Sequence, residues 1–155
     1  MNIAFGCDHA GFGHREKLIN FLKGQGHSVT DMGTTGKESV DYPDFAAAVA
    51  GAVSSGKCPK GVLVCGTGVG MAITANKFPG VRAAVCWNKE VAALVSQHND
   101  ANVLCLPGRF GTTEELIDWV DTWLKTPAST EERHRKRLDK ILELDKKFCG
   151  PEKQK

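Results

Sequence analysis

Five short apolar runs separated by stretches of helical length constrain this chain more tightly than any other feature. The runs are Ile3–Cys7, Ser28–Met32, Gly61–Cys65, Val81–Cys86 and Val103–Leu106. Each has the length of a buried strand and is too short for a helix. Between them the pattern turns helical. Around Arg15–Lys23, Leu18, Ile19 and Leu22 share one face, and Gly24 and Gly26 supply the stop. A second helix opens with Pro43 at a first helical position and runs through Ala46, Ala47, Ala48 and Val49 to Gly56. A short third follows Gly70, and a fourth covers about Lys89–Gln97. The fifth begins with the capping-box pattern Thr112-Thr113-Glu114-Glu115 and carries apolar Leu116, Ile117, Val120, Trp123 and Leu124. Ser129-Thr130-Glu131-Glu132 repeats that pattern before a last helix ending near Phe148.

Strands alternating with helices imply a parallel sheet with helices on both faces. Right-handed crossovers leave few arrangements. Five strands favour a doubly wound α/β sheet in the order 2-1-3-4-5, to which the C-terminal helix is an addition. In such a sheet ligands bind beyond the carboxyl ends of the strands, at the switch point between strands 1 and 3.

A chain of 155 residues suits one domain, expected over 1–149 with a disordered tail at 150–155. A formal charge of +2 is too small for a nucleic-acid surface, and the basic residues cluster only at Arg133–Arg137. No apolar run approaches the ~20 residues that span a bilayer. The start Met1–Gly6 lacks the features of a secretory signal, so the cytoplasm is the expected compartment. Six cysteines raise the question of disulfides, but Cys7, Cys65, Cys86 and Cys105 fall in or at the end of strand runs. Reduced thiols in a core account for most of them. There is no CxxC pair, so no metal site is expected.

The residues after each strand are unevenly reactive. Strand 1 runs into Asp8-His9 and strand 3 into Cys65-Gly66-Thr67-Gly68-Val69-Gly70. Strand 4 leads to Trp87-Asn88 and strand 5 to Pro107-Gly108-Arg109. The two reactive loops flank the switch point. The glycine loop opens a helix, so its amides can converge on an anion. It is not a dinucleotide fingerprint, because Met71 stands where the third glycine belongs. The same amides suit an oxyanion on a small substrate. Cys65, at the mouth of that loop, is then a candidate nucleophile or base, whereas Cys7, Cys86 and Cys105 read as core. Asp8 and His9 read as site residues, although an aspartate there also caps a helix. His98-Asn99-Asp100 ends helix 4 and so belongs to the edge opposite Cys65. Arg133 and Arg137 lie four apart on one helix face, which suits either a solvated surface or a phosphate dianion.

Together the stretches GCDHAGF (6–12), DYPDFA (41–46), CGTGVGMAITANK (65–77), HNDANVL (98–104), GR (108–109) and ERHRKR (132–137) resemble the type B ribose-5-phosphate isomerases and their relatives acting on allose and galactose 6-phosphates. The resemblance implies a flavodoxin-like fold, a metal-independent aldose–ketose isomerase with no cofactor, and a homodimer or dimer of dimers with shared active sites. It implies Cys65 as the base moving a proton between C1 and C2, since Met71 offers no glutamate in its place. His98 would open the sugar ring with Asp8 assisting, and Thr67 would pass protons between the enediolate hydroxyls. Gly66, Gly68, Val69 and Gly70 would supply amides with Thr67; His9, Arg109, Arg133 and Arg137 would hold the phosphate, and Asn99 a sugar hydroxyl. His98 and Asn99 would come from a second subunit. An allose or galactose 6-phosphate isomerase is the nearest alternative, and a non-catalytic nucleotide-binding module a more distant one.

Overall fold

The computed structural model describes residues 1–149; the tail expected at 150–155 lies outside the described residues. The elements in chain order are β1 (Asn2–Cys7), α1 (Phe12–Gly24), β2 (Ser28–Asp31), α2 (Tyr42–Ser54), β3 (Lys60–Cys65), α3 (Val69–Ala75), β4 (Ala83–Val85), α4 (Lys89–Asn99), β5 (Val103–Pro107), α5 (Thr113–Lys125) and α6 (Glu132–Cys149). The type of every expected strand and helix agrees with the pattern, and α1 begins three residues before the expected Arg15. The capping box at Thr112 is present, with both reciprocal bonds to Glu115. The second one is not the expected box. Ser129 accepts from the Glu131 amide two residues on, and the helix starts only at Glu132.

All strand pairs are parallel, and the sheet order is β2-β1-β3-β5-β4. This corrects the expected 2-1-3-4-5: the last two strands exchange places. The reason lies in their composition. β5 (VLCLP) is buried at every position, whereas β4 is three residues of intermediate burial. The longer apolar strand takes the interior and the short one the edge, where little ladder is left unpaired.

Right-handed crossovers then decide which helix covers which face. The steps from β1 to β2 and from β4 to β5 run in one direction, so α1 and α4 share a face, joined there by α5. The opposite steps place α2 and α3 on the other. The strands alternate accordingly. Phe5, Val62, Val64, Leu104 and Leu106 face the α1–α4–α5 layer with Trp123, while Ala4, Leu63, Cys65 and Cys105 face α2 and α3 with Val49 and Met71. α6 lies outside this sandwich against α4. Among the described residues no helix is long and apolar enough to cross a membrane.

The exchanged strand order has a consequence for function. The β3 terminus is now flanked by β1 and β5, with Cys65 paired to Pro107. The loops carrying Asp8 and His9, Cys65 to Gly70, and Arg109 therefore leave the sheet side by side.

Candidate active site

Cys65 is the last residue of β3, and its side chain is 4% exposed on the α2–α3 face. The Gly68 amide donates to Cys65 Sγ at 3.2 Å. That contact depends on a left-handed turn at Gly68 (φ 75°), which caps α3. A Cβ at Gly68 would also meet the Cys105 carbonyl oxygen at 3.1 Å, so glycine is required on two counts. The Val69 amide donates to Thr67 Oγ1 at 3.3 Å. Two of the amides expected to bind an oxyanion are thus engaged within the loop, one of them on the thiol itself.

The Arg109 loop is tied to this one along the backbone. The Gly108 amide donates to the Cys65 carbonyl at 2.8 Å and the Arg109 amide to the Gly66 carbonyl at 3.1 Å. The Arg109 side chain lies over Gly66, where a Cβ would sit 3.5 Å from Cδ and Nε. Asp8 is buried at the end of β1. Its Oδ1 accepts from the Ala10 and Gly11 amides at 2.9 and 3.1 Å, so it ties the turn before α1, while the helix itself, with Gly11 as N-cap, has no side-chain cap. The neighbouring His9 accepts the Val40 amide at Nδ1, 3.3 Å away. In the neutral ring the proton then stays on Nε2.

Tyr42, at the start of α2, was not singled out from the sequence. A Cβ on Gly70 would come within 2.6 Å of the Tyr42 ring, so the phenol packs flush against the glycine loop. Only the DYPDFA stretch pointed to this region, without a role for its tyrosine.

The remaining candidates form a second group. His98 and Asn99 end α4, and Asp100 in the left-handed region (φ 44°) terminates it. Arg133 and Arg137 project from α6, which packs on α4. The rings of His98 and His134 stack with centroids 4.1 Å apart. His134 is buried, and its Nδ1 has no hydrogen-bond partner among the described residues. Burial, then the adjacent His98 and Arg133, hold its pKa below the usual histidine value. Arg133 is largely exposed and pairs with Glu131 at 2.7 Å.

The two groups do not meet within one chain. Val103, four residues after Asn99, pairs with Gly61, while Cys65 pairs with Pro107. At about 3.3 Å per residue, the four steps from Gly61 to Cys65 already separate the edges by roughly 13 Å.

Cys7, Cys58, Cys86 and Cys105 are buried in the core, and Cys149 is half-buried at the end of α6. Burial pushes Cys7 up to about 12 and Cys86 up to about 11, and it raises Cys105 as well. Among the described residues every cysteine is free of disulfides, and no three His, Cys, Asp or Glu side chains cluster as a metal site would need.

Known proteins share this architecture. A family model described as Ribose/Galactose Isomerase matches residues 3–141. Ribose-5-phosphate isomerase B of Escherichia coli (strain K12) is 43% identical over 145 residues, covering 94% of this chain and 97% of that protein. The structure of ribose-5-phosphate isomerase B from Clostridium thermocellum superimposes with a TM-score of 0.91 at 49% identity, over 96% of this chain and 99% of the other. That of the Mycoplasma genitalium enzyme, determined with ribulose-5-phosphate bound, does so with a TM-score of 0.90 at 41% identity, over 95% and 97%.

Proposed function

The chain belongs to the ribose/galactose isomerase family and is an aldose–ketose isomerase, and we propose that it interconverts ribose 5-phosphate and ribulose 5-phosphate through an enediolate. The observation that carries this reading is the Cys65 thiol held by the Gly68 amide, with Asp8 and Arg109 on the flanking loops.

In the ketose-forming direction His98 of the partner subunit protonates the ring oxygen with Asp8 assisting there, the bond from C1 to the ring oxygen breaks, and the proton leaving the C1 hydroxyl returns to the imidazole, giving the open aldehyde. Cys65 as thiolate takes the proton from C2, and the electron pair moves into the C1–C2 bond as the aldehyde oxygen becomes an enediolate. Thr67 relays the O2 proton to O1. The Cys65 thiol returns its proton to C1, leaving the ketone at C2 and the enzyme unchanged. A base of this kind contributes ~10²–10⁴-fold, so the larger share falls to stabilising the enediolate oxygen. Gly66 and Gly70 bring their amides to the same loop as Thr67, Gly68 and Val69. The phosphate is held at the far end of the sugar by His9, Arg109 and Arg133 and Arg137 of the partner subunit, and Asn99 of the partner subunit takes a hydroxyl. Binding there holds C2 at the base.

A symmetric homodimer is part of this reading, since one chain keeps the two groups on opposite edges. Exposed Tyr42, Val69, Ile73, Trp87 and Phe110 on the elements and loops at the Cys65 edge give a partner an apolar surface to cover. The reading includes a cytoplasmic enzyme working without metal or cofactor. The test is a coupled isomerase assay on ribose 5-phosphate, allose 6-phosphate and galactose 6-phosphate with EDTA present. Turnover is expected to be fastest on ribose 5-phosphate and unaffected by the chelator. Activity confined to a hexose phosphate, or activity that EDTA removes and a divalent ion restores, refutes the corresponding part.

A further inference from the structure

We propose that His14 is a positioning residue for Arg109, clamping the loop after β5 so that the guanidinium stays over the Cys65 loop. The inference rests on the reading of Arg109 as a phosphate ligand.

His14 is the third residue of α1, just past the turn that Asp8 ties through the Ala10 and Gly11 amides. Its Nε2 is 2.8 Å from the Gly108 carbonyl oxygen, and its Nδ1 is 2.8 Å from Thr113 Oγ1 at the start of α5. A carbonyl only accepts, so Nε2 carries the proton and donates. In the neutral ring Nδ1 then accepts from the threonine hydroxyl. Both ring nitrogens are used, and the half-buried ring bridges α1, the β5 loop and α5.

The loop it grips has little freedom elsewhere. On its inner side the Gly108 and Arg109 amides are bonded to the carbonyls of Cys65 and Gly66. A Cβ at Gly108 would meet the Ala10 carbonyl oxygen at 3.1 Å, and one at Gly11 the Val64 carbonyl oxygen at 2.4 Å. The loops after β1 and β5 therefore close over the end of β3 from both sides. His14 is the side chain that ties them together on the outer side. The two hydrogen bonds of the histidine go to Gly108 and Thr113 and not to the Arg109 guanidinium or the thiol, which makes its action indirect. Removing it leaves that peptide held only through the Arg109 amide on the Gly66 carbonyl, and the cost of the looser loop falls on phosphate binding rather than on proton transfer.

The experiment measures KM and kcat for ribose 5-phosphate, and competitive inhibition by inorganic phosphate, in the full chain and in His14→Ala, His14→Gln, His14→Asn and Arg109→Ala. Of the two hydrogen bonds lost in His14→Ala, the one to the Gly108 carbonyl predicts a KM and a phosphate Ki about fivefold higher, with kcat within about twofold of wild type. His14→Gln places an amide N–H where Nε2 stood and restores both values; His14→Asn reaches only the Thr113 side and does not. Arg109→Ala raises the phosphate Ki by about tenfold or more if the guanidinium is a ligand. An unchanged Ki in Arg109→Ala removes the reading on which the inference rests. A raised Ki in Arg109→Ala with wild-type KM and Ki in folded His14→Ala overturns the inference alone, whatever happens to the melting temperature. So does a loss confined to kcat.

Discussion

At the carboxyl edge of the sheet, Cys65 is held by strands on both sides and by an amide on its sulfur. At the corner where α4 meets α6, His98 is held by a ring contact with His134 and by the packing of two surface helices. The first group is closely tied within one chain: its loops are cross-bonded, and Gly68, Gly70 and Gly108 are fixed by close approach or by a left-handed turn. The second is not. Arg133 stands largely in solvent, and a buried imidazole nitrogen lacks a partner among the described residues. On the proposed reading the sheet preorganises the reacting atoms, while His98, Arg133 and Arg137 would reach them only from a partner subunit.

The sharpest way to break this contrast is at Cys65. Cys65→Ala should lower turnover by at least ~10²-fold while leaving the fold intact, as loss of a general base does. Steady-state kinetics on a variant with wild-type circular dichroism decides it, and near-normal turnover ends the assignment of the base. Iodoacetamide should inactivate the wild type, and saturating phosphosugar should slow the reaction.

A smaller effect tests whether the second group acts across subunits. Inactive Cys65→Ala and inactive His98→Ala chains are mixed and allowed to exchange. With random pairing about half of the dimers are hybrids, each with one site intact, so about a quarter of wild-type activity should return. Hybrids shown to have formed, by mass or by tag, but without activity mean that His98 works in its own chain or has no role.

The smallest effect sharpens the description of the helical corner. His134 has a lowered pKa in the folded chain, so the unfolded chain binds its proton first as the pH falls. The contribution of the neutral ring is therefore present above the unfolded value of about 6.5 and is lost as the pH drops from there toward the folded value. His134→Phe keeps the stack on His98 and removes the titration. Its melting temperature should fall less than that of the wild type between pH 7.5 and 5.5. Equal slopes would show that burial of this imidazole does not govern the corner.

Much of this was legible in the sequence because it depends on neighbours along the chain. The near-continuous burial of β1, β3 and β5, the capping box at Thr112 and the helix breaks follow from local pattern. The loop from Cys65 to Gly70 was legible for the same reason, since a thiol, a left-handed glycine and a helix start lie within six residues. The opposite placement of His98 also followed, because it needs only the parallel direction of the strands.

What the sequence did not determine is which distant segments touch. β4 and β5 look equally strand-like one at a time, and their exchange was decided by competition for the interior, which the fully apolar β5 wins over three half-buried residues. From that single outcome come the approach of Arg109 to Gly66 and the grip of His14 on Gly108, ninety-four residues apart. The packing of Tyr42 on Gly70 and of His98 on His134 likewise rests on how helices settle against the sheet and one another. Local periodicity names the faces of each element, but the choice among partners for those faces is made by total buried area and by crossover handedness, which exist only in the assembled fold.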